Sequence, residues 1–254
     1  MKFITSILAG VFIFISAGTA IAQENLPLNP PPYSNDFMMD NKPYLFLIAD
    51  RLEYNITGSP NPVAWDITGW YGTDLNKFWF QTEGNVLTGV TEGEIEFQAL
   101  YARTITSYFN AQVGIRYDVA YYRGESQTRG FAVISLEGLA PYFLSVDASA
   151  YISEAADISA DFEVEYELPI TQRLWLQPRA ATAVALQDVK KWGVGAGFNY
   201  VQLGLRLRYE FIREFAPYIG ISWNRKLGGT ADFARAAGEE VSIFSLVGGV
   251  RMWF

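Results

Sequence analysis

Alternating charged residues are the part of this chain most able to do chemistry. Glu163 and Glu165 stand two residues apart, so on an extended backbone they share a face, and a pair of carboxylates is what general acid–base catalysis needs. Arg206, Arg208 and Glu210 repeat that spacing, and Asp50, Arg51, Glu53, Arg116 and Asp118 add charges in the same style. A catalytic reading fails on what is missing: the 254 residues contain no His and no Cys. Ser–His and Asp–His dyads, a thiolate nucleophile, a disulfide and a thiolate metal site are all out of reach. Lys226, a substitute base, has no partner at a recognisable spacing. The charges read instead as a static network in which carboxylates neutralise Arg179, Arg206 and Arg208, and no enzymatic activity is expected. The formal charge of −8 argues against nucleic acid, which demands a basic surface.

Three regions must position these residues. Residues 1–22 read as a signal peptide: Met1-Lys2 opens it, residues 7–15 are mostly apolar, and Ala20-Ile21-Ala22 is a small-x-small cleavage pattern before Gln23. Its apolar core is short for a membrane anchor, which needs about 20 residues. Removing it deletes one Lys and no acid, which takes the formal charge to −9. Residues 23–42 form a separate Pro-rich, flexible arm with Pro27, Pro30, Pro31 and Pro32 and no periodicity. From residue 43 to 254 the texture is period-2 alternation, the mark of strands with one apolar face.

The alternation is cleanest late in the chain. Ile158, Ala160, Phe162, Val164, Tyr166 and Leu168 oppose Asp161, Glu163, Glu165 and Glu167. Leu203, Leu205, Leu207 and Tyr209 oppose Gln202, Arg206, Arg208 and Glu210. Phe244, Leu246, Val250, Met252 and Phe254 oppose Ser245, Gly249 and Arg251, which puts Met252 on the lipid side. Near the start, Tyr44, Phe46, Ile48, Leu52, Tyr54 and Ile56 are assigned to one face and Arg51, Glu53 and Asn55 to the other. With weaker segments near 77–85, 129–136, 174–183 and 215–225, about 12 strands are expected, an even number that closes an antiparallel barrel. The segment 228–239 reads as a loop between the last two strands.

A soluble β-sandwich would also alternate. The apolar faces here are long, rich in Tyr, Phe and Trp, and recur over nearly the whole chain, while the charged faces suit a barrel interior. Aromatics make up 16% of the residues, as the girdles of a lipid-facing barrel require. The expected fold is an all-β, antiparallel, up-and-down transmembrane barrel. Its last strand closes on Phe254, in keeping with export to the outer membrane of a Gram-negative bacterium. About 12 strands leave a lumen much narrower than that of a 16–18-stranded porin.

Several ordered blocks resemble the copper resistance protein B family. They include Asp50-Arg51-Leu52-Glu53-Tyr54, Trp65-Asp66-Ile67-Thr68-Gly69-Trp70-Tyr71-Gly72, Gly114-Ile115-Arg116-Tyr117-Asp118 and Leu203-Gly204-Leu205-Arg206-Leu207-Arg208-Tyr209-Glu210. The longest is Arg213-Glu214-Phe215-Ala216-Pro217-Tyr218-Ile219-Gly220 followed by 229–239. The resemblance runs from about residue 36 to 254. It implies an outer-membrane barrel that supports copper tolerance by binding, sequestering or exporting the ion, with membrane lipid, copper and periplasmic copper oxidase or efflux components as partners.

Family members often carry a Met- and His-rich amino-terminal extension. The arm of this chain has no His and offers only Met38 and Met39, flanked by Asp36 and Asp40. These four are the candidate copper ligands, since thioethers suit Cu(I) and carboxylates add charge. Adjacent residues of an extended chain point to opposite sides, so both thioethers reach one ion only across a bend. The competing role for the Met pair is apolar cover of the barrel mouth. The competing function for the whole chain is a narrow, non-specific channel or structural barrel without copper binding.

Overall fold

The structure, a computed structural model, describes residues 42–57, 60–90, 92–122 and 125–254. The segment read as a signal peptide and the arm up to residue 41, with Asp36, Met38, Met39 and Asp40, lie outside these residues. The described strands are β1 (Tyr44–Ile56), β2 (Pro62–Gly72), β3 (Asn76–Leu87), β4 (Gly93–Thr106), β5 (Phe109–Tyr122), β6 (Glu125–Ala140) and β7 (Leu144–Ser153). They continue with β8 (Ile158–Tyr166), β9 (Leu168–Pro169), β10 (Leu174–Ala185), β11 (Gly197–Tyr209), β12 (Phe215–Lys226) and β13 (Ser242–Trp253). Each pairs antiparallel with its neighbours, and β13 returns to pair with β1, from Ile48 opposite Trp253 to Ile56 opposite Leu246. The two-residue β9 follows β8 after Glu167 and pairs with the same neighbour, β10. Twelve full strands therefore form a closed barrel, as the alternation predicts, and closure leaves no sheet edge unpaired.

Alternation then sorts the side chains. Ile115, Ile134 and Ile219 stand on the outer wall with 65%, 67% and 68% of their surface accessible, an arrangement stable only where the surroundings are apolar. Outward-facing aromatics gather at both ends of this wall. Tyr71, Phe78, Tyr101 and Phe254 lie near the end that carries Tyr44, and Tyr54, Tyr121 and Phe244 lie near the other. No described helix is long and apolar enough to cross a membrane; the wall of strands is the membrane-facing element.

One strand departs from the simple pattern. Ala49 pairs with Ile67 while Arg51 pairs with Asp66, so Asp50 is an extra residue in β1, a β-bulge. The bulge reverses parity. Above it Arg51, Glu53 and Asn55 line the lumen as expected, but below it Phe46 and Ile48 also line a lumenal cavity. The assignment of Tyr44, Phe46 and Ile48 to the same face as Leu52, Tyr54 and Ile56 is thereby corrected. Phe46 faces Trp70 across the pair, with ring centroids 5.9 Å apart, and Trp253 at 6.3 Å. A bulge has no strong signature in a run of apolar residues, and Asp50 is legible as its site only once the pairing is known.

The loop expected at 228–239 is also corrected. Residues Gly228–Ala237 form a helix, α1, whose Ala231 and Ala234 are buried, one turn apart. Thr230 in its first turn accepts hydrogen bonds from the Gly195 N–H and the Asn199 side chain, each at 2.9 Å, which ties the helix to the head of β11. Gly238, with φ of +77°, ends it in the left-handed conformation that glycine adopts at little cost. Lys226 and Glu239 close the connection with a 2.6 Å ion pair.

The lipid-facing assignment is testable at Ile115, near the middle of β5. Ile115→Arg should destabilise the barrel by about 2–4 kcal/mol in phospholipid vesicles, the depth-dependent cost of a charge on such a wall. Ile115→Leu should leave the denaturant midpoint nearly unchanged.

Candidate functional site: a divided, charged lumen

All nine charged residues singled out from the sequence lie on strands or strand ends of the barrel, and the structure shows what each touches. In the half of the lumen farther from Tyr44, four arginines organise the carboxylates. Arg51 on β1 pairs with Asp66 at 2.7 Å and Glu83 at 3.4 Å. Arg116 on β5 pairs with Glu96 at 2.6 Å and Asp118 at 2.8 Å, and lies 3.6 Å from Asp161, which stands on β8. Arg179 on β10 engages both oxygens of Glu163. Arg129 pairs with Asp157, and its guanidinium lies over the Phe131 and Trp192 rings at 4.7 and 5.9 Å.

These groups surround a cavity of about 670 Å³ whose lining reaches the rim residues Glu94, Asp157 and Lys226. Ten carboxylates and five cationic side chains line it. Glu53 is cancelled by Arg206 and Lys226 by Glu239, both from outside the lining. The nine carboxylates and four cations that remain leave an excess of five formal negative charges. In a low-dielectric wall this gives the basin an electrostatic preference for cations.

Toward Tyr44 the lumen is largely filled, with Phe131 and Tyr151 at the boundary, where they also line the basin. On the β2–β7 side Trp79, Leu100, Ala102, Phe131, Val133 and Tyr151 form a buried cluster, extended by Trp70 stacked on Trp79 at 6.5 Å. Between β11 and β1, Arg206 reaches past two intervening strands to clasp Glu53 at 3.0–3.1 Å through both Nε and a terminal nitrogen. Tyr218 donates a further hydrogen bond to Glu53 at 3.1 Å. Arg206 is 2% exposed and Glu53 6%. Three glycines leave room for this clasp: a Cβ on Gly204 would lie 2.9 Å from Arg206 Nη1, one on Gly220 3.1 Å from Arg206 Cγ, and one on Gly249 2.7 Å from the Tyr218 hydroxyl.

Below the clasp a second set of ions crosses the lumen. Glu167, just past β8, accepts from Arg208 at 2.9 Å and from Arg251 of β13 at 2.7 Å, although three strands stand between β8 and β13 in the sheet. Arg251 Nε also lies 2.8 Å from Asp50 but without hydrogen-bond alignment, so that contact is Coulombic. Glu210 is 3.6 Å from Arg208. Under this chain lies a smaller cavity of about 210 Å³, which shares no lining residue with the large one.

The sequence singled out one end of each of these contacts more often than both. It named Arg206 and Glu53 without pairing them, and left Tyr218, Arg251 and Glu167 without a role. Arg251 and Glu167 could have been found by parity, since both stand on the polar side of a clean alternation. Their meeting across the barrel could not.

Residues 44–254 match the family model described as copper resistance protein B precursor (CopB). The chain belongs to the copper resistance protein B family. A copper resistance protein B homolog of Pseudomonas syringae pv. tomato is 38% identical over 209 residues, covering 82% of this chain and 69% of that protein. Copper resistance protein B of Escherichia coli is 35% identical over 211 residues, covering 83% and 69%. Among solved structures, NanC porin superposes with a TM-score of 0.53 at 13% identity, covering 82% of this chain and 99% of that one. KdgM porin gives 0.50 at 10% identity with the same coverage. These two likenesses concern the fold alone and agree with a closed outer-membrane-type barrel.

The donor set of the described lumen bears on what ion it could hold. Among the described residues no three His, Cys, Asp or Glu side chains are grouped to hold a metal ion. The carboxylates of the basin are largely engaged by arginines, and the hard oxygens that remain are poor partners for a soft ion. The described lumen therefore does not fit a tightly held copper centre. It fits a cation that is attracted and loosely held.

The clasp can be dissected by a double-mutant cycle. Arg206→Met alone should cost about 3–5 kcal/mol, because Glu53 is left buried without its partner. Glu53→Gln combined with Arg206→Met should recover a substantial part of that loss, and urea unfolding of the four proteins in detergent checks it.

Proposed function

We propose that this chain supports copper tolerance as an outer-membrane cup that draws cations into its acidic basin, without covalent catalysis. The observation that carries the reading is the asymmetry of the lumen. The acid-rich basin reaches the rim on one side, and aromatic and ion-paired side chains fill the other.

Loop length orients the cup. The connections near Tyr44 include turns as short as 107–108, whereas those at the basin end include residues 186–196 and 227–241. Barrels of this class keep short turns in the periplasm and long loops outside, so the basin faces outward in this reading. Membership of the copper resistance protein B family makes copper the cation of interest, with Met38, Met39, Asp36 and Asp40 of the arm as candidate ligands. Export through a cleaved signal peptide, and exchange with periplasmic copper oxidase or efflux components, belong to the same proposal. A second reading, a narrow channel or structural barrel without copper binding, is favoured by the lack of grouped metal ligands among the described residues.

Copper tolerance of a deletion strain separates these readings. Complementation with wild type should restore growth, and Glu96→Gln/Asp161→Asn should restore it only partly if the basin collects the ion. Failure of Met38→Ala/Met39→Ala instead would place the function in the arm. Unimpaired growth of the deletion strain in copper, with the barrel folded in the outer membrane of the parent, would favour the second reading.

A further inference from the structure

The turns at the Tyr44 end of the barrel differ from those at the basin end in what they expose. Five connections close the Tyr44 end, at 73–75, 107–108, 141–143, 167–173 and 210–214. Each carries a large apolar side chain with more than half of its surface accessible: Leu75, Tyr108, Tyr142, Ile170 and Phe211. The short turns at the basin end, at 57–61, 88–92 and 154–157, have one large apolar side chain among their described residues, Val90, and it is less exposed.

The β6–β7 turn presents its rings at a backbone cost. Tyr142 and Phe143 are successive non-glycine residues with φ of +67° and +61°, in the left-handed region where a Cβ crowds the following carbonyl. Tyr142 is nevertheless 86% exposed, with Phe143 exposed beside it, so packing within the barrel does not offset that cost. Single exposed apolar residues need no explanation, but large ones on every turn of one end mark a contact surface. Cations stand at the same level. Arg103 follows Tyr101 on the outer face of β4, toward the 107–108 turn, and Arg173 and Arg213 lie in the last two turns; all three are exposed.

We propose that the turns of the Tyr44 end form a second membrane-binding surface, sunk into the headgroup layer of the adjoining phospholipid leaflet. Two observations favour lipid over a protein occupant. The first is continuity with the lipid-facing wall: Tyr71, Phe78 and Tyr101 stand in one register across β2, β3 and β4, just inside the turn that carries Leu75. Rings with an apolar body and a polar tip suit the boundary between hydrocarbon and water, and the turn residues prolong that belt. The second is charge. Exposed guanidiniums at this level match lipid phosphate, which they bind in a bidentate fork while their stems lie along apolar surface. In the proposed orientation the leaflet concerned is the periplasmic one. Copper handling plays no part in this surface, which depends on the barrel alone.

The chain contains no Cys, so a single introduced thiol carries a probe without background. The full-length barrel, in phospholipid nanodiscs open to solvent on both faces, is labelled with an environment-sensitive fluorophore at Tyr142→Cys or Phe211→Cys, and at Ala155→Cys in a basin-end turn. Iodide serves as the aqueous quencher, and a phospholipid spin-labelled near its headgroup as the lipid one. Probes at positions 142 and 211 should be quenched by the lipid label, and about fivefold less by iodide than the probe at position 155. Arg103→Gln/Arg173→Gln/Arg213→Gln should lower lipid quenching at position 142 about twofold; an unchanged value would strike the arginines from the surface. Iodide quenching at 142 and 211 equal to that at 155 would overturn the lipid surface and leave these turns to a periplasmic protein. Protection that grows with barrel concentration, without lipid quenching, would overturn it in favour of a second copy of this chain.

Discussion

Hydrogen bonding of the backbone in an apolar medium is the constraint on which the rest of this molecule depends. Lipid offers no donors or acceptors, so each strand must be paired on both sides, and a sheet meets that requirement only by closing. The β1–β13 pairing does this. Closure with twelve full strands then sets a narrow lumen, and a narrow lumen makes long charged side chains meet across the barrel instead of extending into water.

The interior divides as a consequence. Where β2 to β7 supply Trp, Leu, Val and Phe at inward positions, the space fills with a dry cluster. Where β8 to β1 supply Arg and Glu, the filling is ionic, and the most deeply buried ions are tolerated because each is matched. Arg206 has two oxygens of Glu53, and Glu53 has Tyr218 besides. Such pairs contribute little net stability against apolar replacements of equal size, but they are costly to break from one side. They therefore hold one particular arrangement of the wall. In the remaining half, carboxylates outnumber cations and the packing stops short of filling the space, which leaves a basin with a field favourable to cations.

Membership of the copper resistance protein B family is consistent with that field, yet the barrel does not present the ligands a transition ion prefers. Imidazole and thiolate are missing from the entire sequence, and the thioethers of Met38 and Met39 lie outside the described residues. Attraction and tight coordination call for different groups: the acidic lumen offers a field for the first, and the only soft donors proposed for the second are the thioethers of the arm.

Much of this was determined by the sequence alone. Period-2 alternation decides which residues face lipid, because side chains on a strand alternate strictly, and for β8, β11 and β13 it places each residue on the wall where the structure has it. The lack of His and Cys bounds the chemistry without reference to any fold. Three things were decided only in the tertiary structure. The bulge at Asp50 inverts the lower half of β1, because one extra residue in a pair changes parity without changing composition. Residues Gly228–Ala237 become helical because Ala231 and Ala234 find a surface to bury against, which no local pattern in a Gly- and Ala-rich segment announces. The pairing of Arg206 with Glu53, and of Glu167 with Arg251, joins residues far apart in the chain. Barrel curvature and strand stagger bring them together, and those are properties of the closed sheet and not of any strand within it.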